Sequence, residues 1–226
     1  MKQLLLFAAL LLVRFSVAQQ GMYFTLRSGP SLPLWHYASN DLSKGCFTNT
    51  GISLAPELSY RLNKRFGLLI QGGAQYHPVD VGMLGEKKVS ADPFLEDLYI
   101  RSEAYKILHL AAGGFYTPYD EKRFFASVKA YAGYFYARTP YQLYKPKYFL
   151  VGPEFFEITS SVDYCFAYGG GIQGAYRISP CVTLTLDGDF MFGDAGFQFV
   201  SALGPRVDQR MLSFVNILAG IQLRVF

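Results

Sequence analysis

Residues 51–61 alternate without a break. Ile52, Leu54, Pro56, Leu58 and Tyr60 fall on one frame, and Gly51, Ser53, Ala55, Glu57, Ser59 and Arg61 on the other. Side chains of a strand point alternately to its two faces, so one face of this segment is wholly apolar and the other small or polar. The pattern recurs. In residues 66–76, Phe66, Leu68, Ile70, Ala74 and Tyr76 oppose Gln71, Gly73 and Gln75. In 124–136, Ala126, Val128, Ala130, Ala132 and Tyr134 oppose Ser127, Lys129, Tyr131 and Gly133. In 182–192, Val182, Leu184, Leu186, Phe190 and Phe192 oppose Thr183, Thr185, Asp187 and Asp189. The last segment sets Val215, Ile217, Ala219, Ile221, Leu223 and Val225 against Asn216, Gln222 and Arg224. Weaker alternation marks 22–28, 108–116 and 166–176. The prediction is eight strands, an even number. Pro56 cannot donate to a ladder, and a bulge is expected there.

The connections alternate in length. Residues 62–65, 117–123 and 177–181 are short, whereas 30–50, 77–97, 137–162 and 193–210 are long. Aromatic residues mark both strand ends: Tyr60, Phe66, Tyr116, Phe124 and Tyr176 beside the short turns, and Tyr76, Tyr134, Tyr136, Phe190 and Phe192 near the long loops. Ten residues at about 3.4 Å each, tilted by about 45°, cover roughly 24 Å, the height of an apolar band in lipid. Only a closed sheet leaves no open edge in hydrocarbon. The expected fold is therefore all-β: an eight-stranded antiparallel up-and-down transmembrane β-barrel, with short periplasmic turns and four long extracellular loops.

The N-terminus supports export. Lys2, the apolar run of residues 4–13 and the small-residue site Ser16-Val17-Ala18 have the layout of a secretory signal peptide. Residues 1–18 are expected to be cleaved, leaving 19–226 as one barrel domain in a Gram-negative outer membrane. Two of the 21 basic residues lie in the leader, so 19 remain against 17 acids. That near-neutral balance gives no electrostatic partner, and it argues against nucleic-acid binding.

The run from Gly51 to Leu68, with Tyr60-Arg61, the polar turn Leu62-Asn63-Lys64-Arg65 and Phe66-Gly67-Leu68, resembles the first hairpin of the Bacteroidota outer-membrane β-barrel family, the PorT-like or OmpA-like small barrels. Gly29-Pro30-Ser31-Leu32-Pro33-Leu34 is similar to that family's first strand and loop, and a terminal Phe226 is common in such barrels. Here the apolar frame ends one residue earlier, at Val225. The resemblance covers the mature chain and implies architecture. It implies little about activity, because the family is functionally mixed.

On the inward frame, Arg27, Glu57, Arg61, Gln71, Gln75, Lys129, Gln173, Arg177, Asp187 and Asp189 are expected to form a polar lumen cluster. Eight strands leave an interior that side chains fill, and buried charges must pair. Arg27 with Glu57, and Arg177 or Gln173 with Asp187, are the expected pairs, in a plugged core rather than a pore.

No catalytic, cofactor-binding or metal site is read from the chain. His36, His77 and His109 lie in no hydrolase motif, although triads are spatial rather than sequential. Cys46, Cys165 and Cys181 match no metal spacing, and no disulfide is expected. The glycines at 169, 170, 171 and 174 lack the Lys-Ser/Thr of a phosphate loop, so close packing in a wall is expected of them.

The third loop is unusually aromatic, with Tyr141, Tyr144, Tyr148, Phe149, Phe155 and Phe156; the fourth holds Phe197, Phe199, Val200 and Leu203. Tyr148, Phe149, Phe155 and Phe156 are the expected partner-contact residues, with self-packing of the loop as the alternative. The functional expectation is a non-enzymatic barrel that scaffolds or contacts an envelope component. It would touch outer-membrane lipid, the barrel-assembly machinery during insertion and another envelope protein. A lipid-modifying outer-membrane enzyme and a small gated channel are the alternatives.

Overall fold

In a computed structural model, residues 21–149, 152–201 and 204–225 are described. The expected signal peptide, Leu203 and Phe226 lie outside them. The barrel strands are β1 (Gly21–Pro33), β2 (Gly51–Arg61), β3 (Phe66–His77), β5 (Tyr105–Asp120), β6 (Phe124–Arg138), β9 (Val162–Arg177), β10 (Val182–Ser201) and β11 (Gly204–Arg224). Each pairs antiparallel with the next, and β11 closes on β1. This is the expected eight-stranded up-and-down barrel. No helix among the described residues is long and apolar enough to cross a membrane.

The inward and outward frames follow the sequence alternation. On β2, Ile52, Leu54 and Leu58 stand outward, while Ser53, Ala55, Glu57 and Ser59 are buried inside. The aromatic belt at the long-loop end is continuous over three strands, with Tyr136 on Tyr164 at 5.0 Å, Tyr134 on Phe166 at 5.9 Å and Tyr168 on Phe192 at 5.2 Å. At the other end, Phe66 meets Tyr116 at 4.8 Å.

The expected bulge at Pro56 does not form. The β2–β3 ladder stops at Leu54↔Ala74 and resumes at Glu57↔Gln71, with both strands advancing equally. The register therefore survives, and the missing donor falls in a gap opposite Gly72 and Gly73. Pro30 sits in the same kind of gap between β1 and β11. The wall's bulge lies at Pro118 instead, between Tyr116↔Val128 and Tyr119↔Ala126.

The long connections are not simple loops. Residues 34–50 include a short helix, α1 (Trp35–Ala38), whose Tyr37 is fully buried at the barrel mouth. The second connection carries α2 (Val81–Ala91), capped by Asp80, and β4 (Leu95–Ser102). The third carries β7 (Gln142–Tyr148) and β8 (Phe156–Ile158). These form a separate three-stranded sheet, ordered β4-β7-β8.

The fourth connection corrects the expectation most. Residues 193–201 and 204–210 are a continuation of β10 and β11, paired without a break from Val182↔Leu223 to Ser201↔Gly204. Alternation persists there, with Ala195 and Phe197 fully buried. Phe197 is therefore core rather than contact surface.

Candidate functional site

Seven of the residues expected in the lumen meet in one buried network at mid-barrel. Arg27 donates from Nη2 to Glu57 Oε2 at 2.8 Å and to Gln71 Oε1 at 3.0 Å. From Nη1 it donates to Asp187 Oδ1 at 2.8 Å and Asp189 Oδ2 at 3.1 Å. Lys129 Nζ donates to the same Glu57 and Asp187 oxygens, each at 2.8 Å. Arg27, Glu57, Lys129 and Asp187 thus close a ring of four alternating charges. Gln173 donates to the other Asp187 oxygen at 3.4 Å. Two cations face three carboxylates, all nearly or fully inaccessible.

Two small residues make room for this network. A Cβ at Gly171 would lie 2.1 Å from Asp189 Oδ1, and one at Gly73 would lie 2.2 Å from the His109 ring. The glycines of 169–171 therefore pack a wall, as expected.

Of the two expected partners of Asp187, Gln173 is used and Arg177 is not. Arg61 and Arg177 sit at the short-turn end, outside the central network. Both guanidiniums hold Asp120, Arg61 at 3.0 Å and Arg177 at 2.5 Å. Both also stack over Phe125, at 5.3 and 4.8 Å. They fall on the inward frame, but the strand ends there, where the turn offers Asp120 as the nearer acid.

Above the charged ring, Gln71 and Gln75 bracket His109, at 3.4 and 3.1 Å. Beyond them the lumen turns apolar. Phe135 stacks on Phe214 at 5.7 Å, with Ile107, Met191, Phe197 and Leu212 around the pair. Tyr37 closes this plug from α1, 5.1 Å from the His77 ring. The apolar plug was not expected from the sequence. Its signal is the inward Phe135, which shares the frame of Ser127, Lys129, Tyr131 and Gly133.

One Ser–His contact exists among the described residues, Ser31 Oγ to His77 Nε2 at 3.2 Å. Both side chains are fully buried beneath Tyr37, and no carboxylate is paired with the histidine. His36 is exposed on α1. All three cysteines are free; Cys46 and Cys165 are buried and Cys181 is exposed.

The four expected contact aromatics separate in the loop sheet. Phe149 and Phe155 are exposed, at 75% and 59%. Tyr148 is half-buried. Phe156 stacks flat on the buried Tyr144, with centroids 4.7 Å apart and planes 4° from parallel. Lys88 of α2 lies over the Tyr144 ring at 5.2 Å, and burial there lowers its pKa. Sequence reasoning missed Phe94, exposed at 61% beside Phe149, whose N–H donates to the Phe94 carbonyl at 3.0 Å. Between this sheet and the β10–β11 hairpin is a cleft of about 430 Å³, walled by Ile158, Phe199 and Val200 and edged by Glu157, Arg206 and Arg210.

No protein-family model matches the chain, and no curated protein sequence matches it significantly. Among solved structures it is similar to Neisserial surface protein A, with 11% identity over 92% of this chain and 99% of that one, at a TM-score of 0.50. It is similar to the Yersinia pestis attachment invasion locus protein Ail, with 12% identity, 90% and 99% coverage and a TM-score of 0.50. These neighbours are small outer-membrane β-barrels, and at such identities the likeness establishes the fold that the strand ring already displays.

Proposed function

We propose that this chain is a small integral outer-membrane β-barrel that contacts another envelope component through its outer loops and carries out no catalysis. Its apolar outer wall meets lipid, its short turns face the periplasm, and its leader directs export. In this reading the barrel-assembly machinery inserts it. The hairpin resemblance to PorT-like and OmpA-like barrels of Bacteroidota belongs to the same reading.

One observation carries the contact role. Phe94 and Phe149 stand exposed together at the end of a paired, hydrogen-bonded sheet, with Phe155 on the following segment. Aromatic side chains held on rigid backbone are the usual anchors of an interface, because little entropy is lost when they are covered. The filled lumen supports a scaffold over a channel: the charged ring and the Phe135–Phe214 plug occupy it in series. The sealed Ser31–His77 pair, beyond the reach of a lipid ester, supports the non-enzymatic reading.

The test is affinity capture of the intact protein in mild detergent. A defined envelope protein should co-purify with the native chain and be lost from a Phe94→Ser, Phe149→Ser, Phe155→Ser variant that still folds. Equal recovery from both would remove the contact role.

A further inference from the structure

The near-neutral charge of the mature chain hides a segregation along the barrel axis. The central lumen network carries a formal excess of one negative charge. At the short-turn end lies a cup of about 510 Å³. Five basic residues line it (Arg61, Lys64, Lys122, Arg177 and Arg224) against only Asp120 and Glu121, a formal balance of +3. Arg65 and Arg123 stand on the same turns, raising this end to +5. The remaining, long-loop end is therefore formally negative.

The cup is built rather than fortuitously basic. Asp120 holds the Arg61 and Arg177 guanidiniums side by side over the Phe125 ring. Arg177 is fixed further by donating to the carbonyl of Glu121 at 2.5 Å. Arg61 Nε is buried with no protein acceptor. Lys64 and Lys122 form no ion pair among the described residues; both are exposed on their turns and line the cup. Thr183 and Gln222, both buried, add polar groups to the floor. Converging guanidinium and ammonium donors in a concavity match oxyanions, and fixing the donors beforehand lowers the ordering cost of binding.

The geometry points to an anion-binding site at the short-turn mouth that takes a small soluble polyanion of the phosphate or pyrophosphate class. A single carboxylate matches the +3 balance poorly, since Asp120 already fills that role between the two arginines. A nucleic-acid strand is too large for a cup of this volume. The site is distinct from the loop sheet and independent of the contact role proposed for it. That it opens to the periplasm rests on the membrane orientation proposed above.

The experiment is calorimetric titration of pyrophosphate into the full mature protein in phosphatidylcholine nanodiscs at low salt. Saturable binding at one site per chain is expected, weakening as salt rises. Lys64→Ala with Lys122→Ala, both on exposed turns, should weaken it by about tenfold or more, because two of the converging charges are lost. Lys87→Ala with Lys145→Ala, at the opposite end, should leave it unchanged.

Absence of saturable binding would overturn the site. So would equal loss from both lysine pairs. Co-purification of phosphatidylglycerol without pyrophosphate binding would assign the charge to lipid headgroups and overturn it as well. The protein's heat-dependent gel mobility reports the barrel separately, so failure of the site and failure of the membrane reading are distinguishable.

Discussion

Arg27 on β1 reaches past β11 to Asp187 on β10, and the two side chains meet at 2.8 Å although 160 residues separate them in the chain. The contact crosses the seam where β11 pairs with β1, so it exists only when the ring is closed. Lys129, from the far side, binds the same Asp187 oxygen.

Removing the central cation should therefore be costly. Arg27→Met leaves Glu57, Asp187 and Asp189 with Lys129 as their one cation, and is expected to destabilise the barrel by about 3–5 kcal/mol, the cost of breaking a buried ion pair. Urea unfolding in detergent measures it. Adding Asp187→Asn to Arg27→Met should recover part of the loss, since one uncompensated carboxylate goes. A cost below about 1 kcal/mol would mean the ring contributes little.

The outward frame makes a second prediction. Leu54→Arg or Leu184→Arg places a charge on the apolar wall and should cost roughly 2–4 kcal/mol near mid-wall. Ser53→Arg, one residue away, enters the lumen beside Gln75, whose Nε2 donates to Ser53 at 3.3 Å. It should fail by crowding, and a lipid-free micelle assay should separate the two effects. Equal tolerance on both faces would refute the frame.

The loop aromatics should respond differently from one another. Phe149→Ser and Phe155→Ser should leave both the barrel and the loop sheet protease-resistant, because these rings are exposed. Phe156→Ser removes the partner stacked on Tyr144 and should open the third loop to limited proteolysis while the barrel still migrates as folded. If Phe156→Ser alters nothing, the stack does not hold the loop.

Thiol chemistry gives a fourth test. Cys181 is exposed, whereas Cys46 is buried and burial pushes its thiol pKa up, an effect that Arg210 opposes only in part. At mildly alkaline pH, iodoacetamide should label Cys181 within minutes and leave Cys46 unmodified until the protein is denatured. Mass spectrometry of the native and denatured samples reads the difference. Rapid labelling of Cys46 in the folded protein would show that the cap formed by residues 34–50 opens.

Folded protein should run faster on a gel unheated than boiled, and it should show no steady conductance in a planar bilayer. The second outcome follows from the plug: Phe135, Phe214 and Tyr37 close the section above the charged ring. A stable conducting level would require those rings to move aside.

The strand number, the two faces of each strand and three of the four long connections were legible in the sequence because they are local; the fourth was not, because the same alternation runs on through it as strand. A period of two is carried by neighbouring residues, and the environment on each side of a barrel wall selects it. The inward placement of Arg27, Glu57, Lys129, Asp187 and Asp189 was legible for the same reason. Their ring was not, because which inward residues share a level depends on register and closure. Arg177 shows the difference: it has the right face, yet lies at the wrong height to meet Asp187. Pro56 does too, since whether it forces a bulge depends on where the partner strand's ladder leaves a gap, and here the register continues past it. The β4-β7-β8 sheet pairs segments from separate connections, and the basic cup gathers three turns and both ends of the strand ring. Sequence alone determined what each residue faces. Only the closed tertiary structure decided which residues face one another, because that depends on where distant strands come to rest along a common axis.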